Sequence, residues 1–284
     1  MTPQWQLLTF PEIEDLNQVR EQCHQAIQNV AAVGRSFLPP SKEDENANLE
    51  WDSNLQRLVG RWVEAEDVVF RSSLSIAEFK VLLVNRDFET ISEFELEGKT
   101  QTDVMVWLER QLGELGFEFS RINLAYPYEI PEYPTAKGEA FHITNKVAAR
   151  ELSRLYHNTL FILNDFLKGF GETESIKCWP HHFDIAGRII LLNSGDPSTT
   201  KSIGLGLSPG DQYYNEPYFY VSPWPYPSKE LKSIDSTLGH WHEHDWIGAV
   251  LPVSKISHMD LIQDQRRSVL NFFQSPTEIL IEIL

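Results

Sequence analysis

Between residues 68 and 98 the apolar side chains recur with a period of two. Phe79, Val81 and Leu83 alternate, Asn85-Arg86-Asp87 supplies a turn, and Ser92, Phe94 and Leu96 alternate with Glu93, Glu95 and Glu97. That period belongs to a pleated strand, so two such runs about a turn predict an antiparallel hairpin with one wet face. Its other face must be buried against further elements, which excludes an all-helical fold.

The partners are legible as stretches of helical period. Across residues 12–35, Leu16, Val19, Cys23, Ile27, Val30 and Ala31 fall at three- and four-residue spacing. Thr102 or Asp103 is placed to cap a second helix carrying Val104, Trp107, Leu108, Gln111, Leu112 and Leu115 on one side, with Gly116 at its end. A third helix is expected over 145–168 and a last one over 259–273, with a short one ending the chain. Further strands are expected at 117–124, 176–193, 202–207, 217–222 and 246–253. Residues 39–48 have no apolar periodicity and read as an exposed, mobile loop. Three prolines in residues 125–134 interrupt regular structure and mark a connector. The expected fold is α+β, a mainly antiparallel sheet with amphipathic helices packed on it, in one domain of residues 1–284. The order helix, strands, helix recurs, which allows two related α-β-β-α halves, 1–124 and 145–284, joined by the connector 125–144.

Forty-one Asp and Glu against 24 Lys and Arg give a net charge of −17, which excludes nucleic acid as an expected partner. Two cysteines, Cys23 and Cys178, do not make a disulfide framework. No apolar run approaches the roughly 18 residues of a membrane span, and the first residues carry no signal pattern. A soluble, cytoplasmic protein that meets no membrane is expected.

The residues that bear chemistry cluster in Cys178-Trp179-Pro-His181-His182-Phe-Asp184 and in Gly239-His240-Trp-His242-Glu243-His244-Asp245-Trp246. If the second stretch is extended, His240, His242 and His244 share a face with Cα atoms about 6.6 Å apart. Imidazoles so spaced converge on a divalent metal such as Zn²⁺, a further ligand coming from another strand. His182 and Asp184 are the candidates for that contribution. His181 is expected to point the other way. Glu243 and Glu216 are the candidate proton carriers for a metal-bound water attacking a small polar substrate. Two readings compete with the metal: histidines that merely hydrogen-bond to Asp184, Glu243 and Asp245, and proton transfer by a histidine beside a carboxylate. Trp179, Asp211, Tyr218, Tyr220 and Trp224 form the candidate ligand-binding set, because aromatic faces supply apolar area while polar tips orient a ligand. They support the alternative function, a non-catalytic module that binds a small molecule or sugar without metal. An acidic surface meeting a basic partner is a further rival.

Gly206-Leu-Ser208-Pro209-Gly210 matches the serine nucleophile elbow in spacing, but the oxyanion hole needs an N–H after the serine and Pro209 has none. Gly204, Gly206 and Gly210 miss the dinucleotide spacing, and Glu93 stands where a P-loop ending in Gly98-Lys99-Thr100 needs glycine.

Trp179-Pro-His-His-Phe-Asp184, Ile203-Gly-Leu-Gly-Leu-Ser-Pro-Gly-Asp211 and Glu216-Pro-Tyr-Phe-Tyr-Val-Ser-Pro-Trp-Pro225 resemble the shared blocks of an uncharacterised bacterial family of the domain-of-unknown-function type. Leu49-Glu-Trp51 and the turn leading to Gly98-Lys-Thr100 fit the same layout. The resemblance implies a bacterial protein and supplies no reaction.

Overall fold

The computed structural model describes residues 4–9, 11–65, 68–118, 122, 124–196, 198–235, 237 and 239–284. They form an α+β protein with two six-stranded antiparallel sheets. The chain divides into an amino-terminal unit, Glu14–Ser153 with Cys178–Phe183, and a carboxy-terminal unit, Met1–Ile13, Arg154–Lys177 and Asp184–Leu284. Residues 125–144 fall inside the first of these. The strand expected at 117–124 includes residues 119–121 and 123, which lie outside the described residues.

In the amino-terminal unit, helix α1 (Ile13–Phe37) precedes strands β1 (Glu50–Asp52), β2 (Arg57–Val59), β3 (Val63–Ala65), β4 (Val68–Ser75), β5 (Lys80–Asn85) and β6 (Thr90–Glu95). The sheet order is β1-β2-β4-β5-β6, with β3 also paired to β4. Register decides where the helices go. Ser72, Leu83 and Ser92 are cross-strand partners and so share a face. Ser72 Oγ donates to the Val30 carbonyl of α1. Ser92 Oγ accepts from Trp107 Nε1 of helix α2 (Gln101–Glu114). Both helices therefore cover one face. The cap of α2 is Thr100, not Thr102 or Asp103: Thr100 Oγ1 accepts from the Asp103 N–H at 3.2 Å, and the Asp103 carboxylate accepts from the Thr100 N–H at 2.8 Å. Asp103 is thus the third helical residue of a reciprocal capping box.

Residues 39–48 are not a loose loop. Lys42–Ala47 forms a 3₁₀ helix, and Asn46, Ala47 and Asn48 are buried. Ser41 Oγ accepts from the Asn46 N–H at 2.8 Å and donates to Asn46 Oδ1 at 3.0 Å. Composition misled here because the burial comes from contact with α1, which local polarity cannot report. The approach is so close that a Cβ built on Gly34 of α1 would stand 2.3 Å from the Asn46 carbonyl oxygen.

The carboxy-terminal unit holds the second part of α3 (Lys146–Phe166), then β7 (Thr173–Trp179) up to Lys177, β8 (Asp184–Leu192), β9 (Lys201–Ser208), β10 (Tyr218–Trp224), β11 (His240–His242) and β12 (Gly248–Pro252), then α4 (Ser254–Ser257) and α5 (Ile262–Ile283). The order is β11-β12-β10-β9-β8-β7. Phe219, Leu207, Leu251 and Ile185 are cross-strand partners, and Phe219 meets Phe273 of α5 edge to face at 5.8 Å between ring centroids. The face covered by α5 is thereby fixed, and every second residue belongs to the other face. α5 continues through Pro276 as one helix, because Phe272, Phe273, Pro276 and Leu280 prolong its buried stripe past the lost hydrogen bond. The stretch 176–193 is two strands rather than one, broken by a turn at 180–183 in which Phe183 has φ of 54° and its N–H bonds the Trp179 carbonyl at 2.7 Å. Among the described residues no helix is long and apolar enough to cross a membrane.

Gly34 gives the first prediction. In an ordinary helix Gly→Ala stabilises by about 1 kcal/mol. Here Gly34→Ala is expected instead to destabilise by about 1–3 kcal/mol, the usual cost of overpacking. Urea unfolding of the variant checks the sign.

Candidate functional site

The pleat sets the carboxy-terminal candidates on the sheet face opposite α5. Tyr220 pairs with Gly206 and Val250, and Val250 with His240, while Tyr218 and Trp224 share the alternation of Tyr220. Asp184, two residues before Ala186 in the same row, is only 7% exposed and accepts the Tyr220 hydroxyl at 2.5 Å. Gly206 makes the crowding possible, since a Cβ there would meet the Ile185 carbonyl oxygen at 2.2 Å. Its spacing to Gly204 thus reflects packing between strands rather than a nucleotide loop. Asp211 accepts the Tyr218 hydroxyl at 2.6 Å. Burial, then the nearby carboxylates, push both phenols well above the usual tyrosine range.

His240 and His242 converge on one atom, the Tyr214 hydroxyl, at 3.0 Å from His240 Nε2 and 3.0 Å from His242 Nδ1. The protons on these rings follow from the partners. The His244 carbonyl beside His242 Nε2 can only accept, so that nitrogen carries hydrogen and Nδ1 accepts from Tyr214. The Tyr214 oxygen then accepts from His240 Nε2–H. Trp246 stacks on His242 at 4.4 Å. Burial, then His242 and Lys255, hold His240 below the usual histidine range.

The other sequence candidates fall elsewhere. The His244 ring lies beyond β11, exposed beside Asp245 at 3.2 Å. Glu243 is exposed, and Trp224 is an exposed ring against Tyr226. Both oxygens of Glu216 are engaged at 3.0 Å by the N–H and hydroxyl of Ser254, so it holds the start of α4. Ser208 ends β9, and the next element is a strand. His182 and Trp179 belong to the amino-terminal unit. Among the described residues no group of three or more His, Cys, Asp and Glu side chains is arranged to hold a metal ion.

A second cluster, in the amino-terminal unit, takes in Trp179, His181 and His182 of the first histidine stretch, but its other members were not singled out from the sequence. It grows from a polar stripe on α1, where His24, Gln28 and Arg35 recur on one side of the helix. His24 Nε2 and Gln28 Nε2 both donate to the Pro180 carbonyl, at 3.0 and 2.7 Å. His24 Nδ1 therefore accepts from the Tyr133 hydroxyl at 2.8 Å. Gln28 Oε1 accepts from the Tyr128 hydroxyl at 2.9 Å, and that hydroxyl accepts from Arg35 Nη2 at 3.0 Å. Arg35 also forks onto Asp44, with Nε to Oδ1 at 3.1 Å and Nη2 to Oδ2 at 2.5 Å. At the end of this chain of bonds lies a cleft of about 460 Å³. Arg35 forms part of it, the 3₁₀ segment contributes Ser41, Asp44 and Asn46, and Tyr128 and His181 supply ring faces. Tyr126 stacks on Tyr128 at 5.0 Å, Tyr128 meets His181 at a tilt of 43° and 5.1 Å and His181 meets His182 at a tilt of 54° and 4.3 Å, with Trp179 edge-on to His181 at 6.0 Å.

Burial, then the neighbouring His182, lowers His181 to about 4, and it is neutral near pH 7. Burial does the same to His24, also to about 4. Burial pushes Tyr128 up to about 12 against the pull of Arg35. Burial opposes the Arg35 charge as well, but the Asp44 bonds outweigh it and its pKa stands above the ordinary value. The sequence signals for this site existed, as two tyrosines flanking Pro127 and an arginine at the end of α1. They pointed nowhere until the fold joined segments more than 90 residues apart.

Set against family models, curated proteins and solved structures, the chain matches none of them.

A pH prediction follows from the buried His24 and the half-buried His181. Their folded pKa values of about 4 lie below the unfolded value near 6.5, so the unfolded chain binds more protons between those limits. The stability contribution is complete above about 6.5 and is lost as pH falls toward 4. For His24 the full effect is on the order of 3 kcal/mol. His24→Gln, which keeps an N–H for Pro180 but cannot titrate, is expected to remove about one proton from the slope of unfolding free energy against pH in that window. Urea denaturation at a series of pH values measures that slope, and an unchanged slope would show that His24 titrates normally.

Proposed function

We propose that this chain is a small-molecule-binding protein that uses the Tyr128–His181 cleft without metal. One observation carries the reading. A cleft of about 460 Å³ joins a fixed aromatic wall to a few hydrogen-bonded polar groups, the composition and size of an ordinary small-molecule site. Its walls are held in place by Gln28, Arg35 and the 3₁₀ segment, so little ordering remains to be done on binding. A ring packs against Tyr128 and His181 while Asp44 and Asn46 orient its polar edge. The groups at the cleft are suited to holding a ligand, and binding rather than hydrolysis is what they support.

Saturation-transfer NMR with a panel of monosaccharides, nucleosides and aromatic amides tests this. Transfer to the bound members is expected to fall at least tenfold in Tyr128→Ala and in His181→Ala, and to persist in Tyr226→Ala, which alters an exposed ring of the carboxy-terminal unit. Transfer insensitive to Tyr128 and His181 would remove the cleft as the binding site.

A second reading, a divalent ion at His240 and His242, is favoured by the convergence of their ring nitrogens on the Tyr214 hydroxyl. An ion would take the place of that shared hydroxyl between two imidazoles, with Tyr214 and water completing its shell. Zn²⁺ at 100 times its Kd is then expected to raise Tm by roughly 5 °C at neutral pH, the effect weakening as pH falls through the histidine range. His242→Ala should lose the rise and His258→Ala should keep it. A flat melting profile of the wild type against added Zn²⁺ would end this reading.

A further inference from the structure

The charges lining the cleft come from Arg35 and Asp44, and they are committed to one another. The accounting for the guanidinium is nearly complete. Nε–H goes to Asp44 Oδ1, and Nη2 serves both Asp44 Oδ2 and the Tyr128 hydroxyl. Nη1 is shut away from solvent and has no hydrogen-bond partner among the described residues, so it is not presented to a ligand either. Tyr128 is spent in turn, accepting from Arg35 and donating to Gln28. His181 is neutral, so it offers no cation.

The acceptors are in the opposite position. Each Asp44 oxygen takes one Arg35 hydrogen and keeps a further lone pair. The Asp44 side chain is also the more exposed member of the pair, 19% against 11%. Asn46 is fixed by Ser41 through Oδ1, which leaves Nδ2 as its donating end.

We infer that the cleft takes an uncharged ring compound whose hydroxyl or amino hydrogens meet the remaining lone pairs of Asp44, and that the Arg35–Asp44 pair makes this choice by denying anions a cation. The inference rests on the cleft being the binding site. A ligand cation gains little, because the guanidinium stands within 2.5 Å of the carboxylate it would seek. A sugar ring and a nucleoside both carry the required chemistry, and the experiment separates them.

Titration calorimetry on the full chain would compare methyl glucoside with glucose 6-phosphate, adenosine with AMP, and each with benzamidine. At least one uncharged member is expected to bind ten times or more tighter than its phosphorylated counterpart and than benzamidine. Whether that member is methyl glucoside or adenosine identifies the source of the ring. Asp44→Asn frees the guanidinium and should invert the order, with the phosphorylated compound gaining at least tenfold over its uncharged parent. Because this variant leaves a buried cation unpaired, its folding is read in parallel. Inorganic phosphate should raise its Tm and leave that of the wild type unmoved. The double variant Arg35→Gln, Asp44→Asn, uncharged on both sides, should prefer the uncharged ligand again. Tyr128-dependent binding in which AMP, glucose 6-phosphate or benzamidine is preferred by the wild type overturns the charge inference and leaves the cleft standing. An Asp44→Asn order the same as the wild type overturns it too. Absence of any Tyr128-dependent binding removes the cleft reading and this inference with it.

Discussion

The aromatic wall of the amino-terminal unit's cleft is anchored at a single carbonyl. Pro180 has no N–H, but its oxygen receives two donors from α1, His24 Nε2 and Gln28 Nε2. Those two bonds fasten the segment 178–183 to a helix more than 150 residues earlier in the chain. The aromatic wall of the cleft is placed by that attachment. His181 follows directly in sequence, Tyr128 is held by the other end of the same Gln28 amide, and Tyr128 in turn receives Arg35. Leu49 and Cys178 exchange backbone hydrogen bonds at 2.9 and 2.8 Å, securing the segment at its other end. At the inner end of this network, where His24 and Gln28 are buried, a polar group left without a partner costs on the order of 1–3 kcal/mol.

What could be read in the sequence divides along the same line between local and distant causes. The helices at 13–37, 101–114 and 146–166 follow from apolar spacing, and the hairpin of β5 and β6 from alternation about Asn85-Arg86-Asp87. Even there, β5 proves buried on both faces through Val81 to Val84, because a central strand is shielded by neighbours its own sequence does not describe. The carboxy-terminal cluster was half legible. A His-x-His strand does put His240 and His242 on one face, since period two is intrinsic to the pleat. His244 was lost from that face because the strand stops at His242, and His182 does not share a strand face with Asp184 because it lies in the turn at 180–183, where Phe183 is left-handed.

The cleft was illegible for a different reason. Ser41-Lys-Glu-Asp-Glu-Asn46 has the composition of a solvated loop. What folds it is Gly34, a gap in α1 that lets the Asn46 carbonyl come close, together with the Arg35–Asp44 fork beside it. Neither feature has a signature along the chain. A glycine inside a helix reads as a weakness, and an arginine at its end as a favourable partner for the helix dipole. Only their adjacency, at 34 and 35, makes one position receive backbone and the next receive charge.

Stability alone does not account for that fork. Removing a guanidinium and a carboxylate from water costs several kcal/mol per ion, and pairing them recovers this only when their remaining hydrogen-bonding capacity is also met. Arg35 is 11% exposed at its side chain and still has Nη1 unsatisfied among the described residues, so the pair stands near break-even at best. A well-packed apolar pair would hold α1 to the 3₁₀ segment at least as well. It would not leave carboxylate lone pairs at the edge of an aromatic cleft while cancelling the charge behind them. On the proposed reading of the cleft, the fork has a use in recognition that its contribution to folding does not supply.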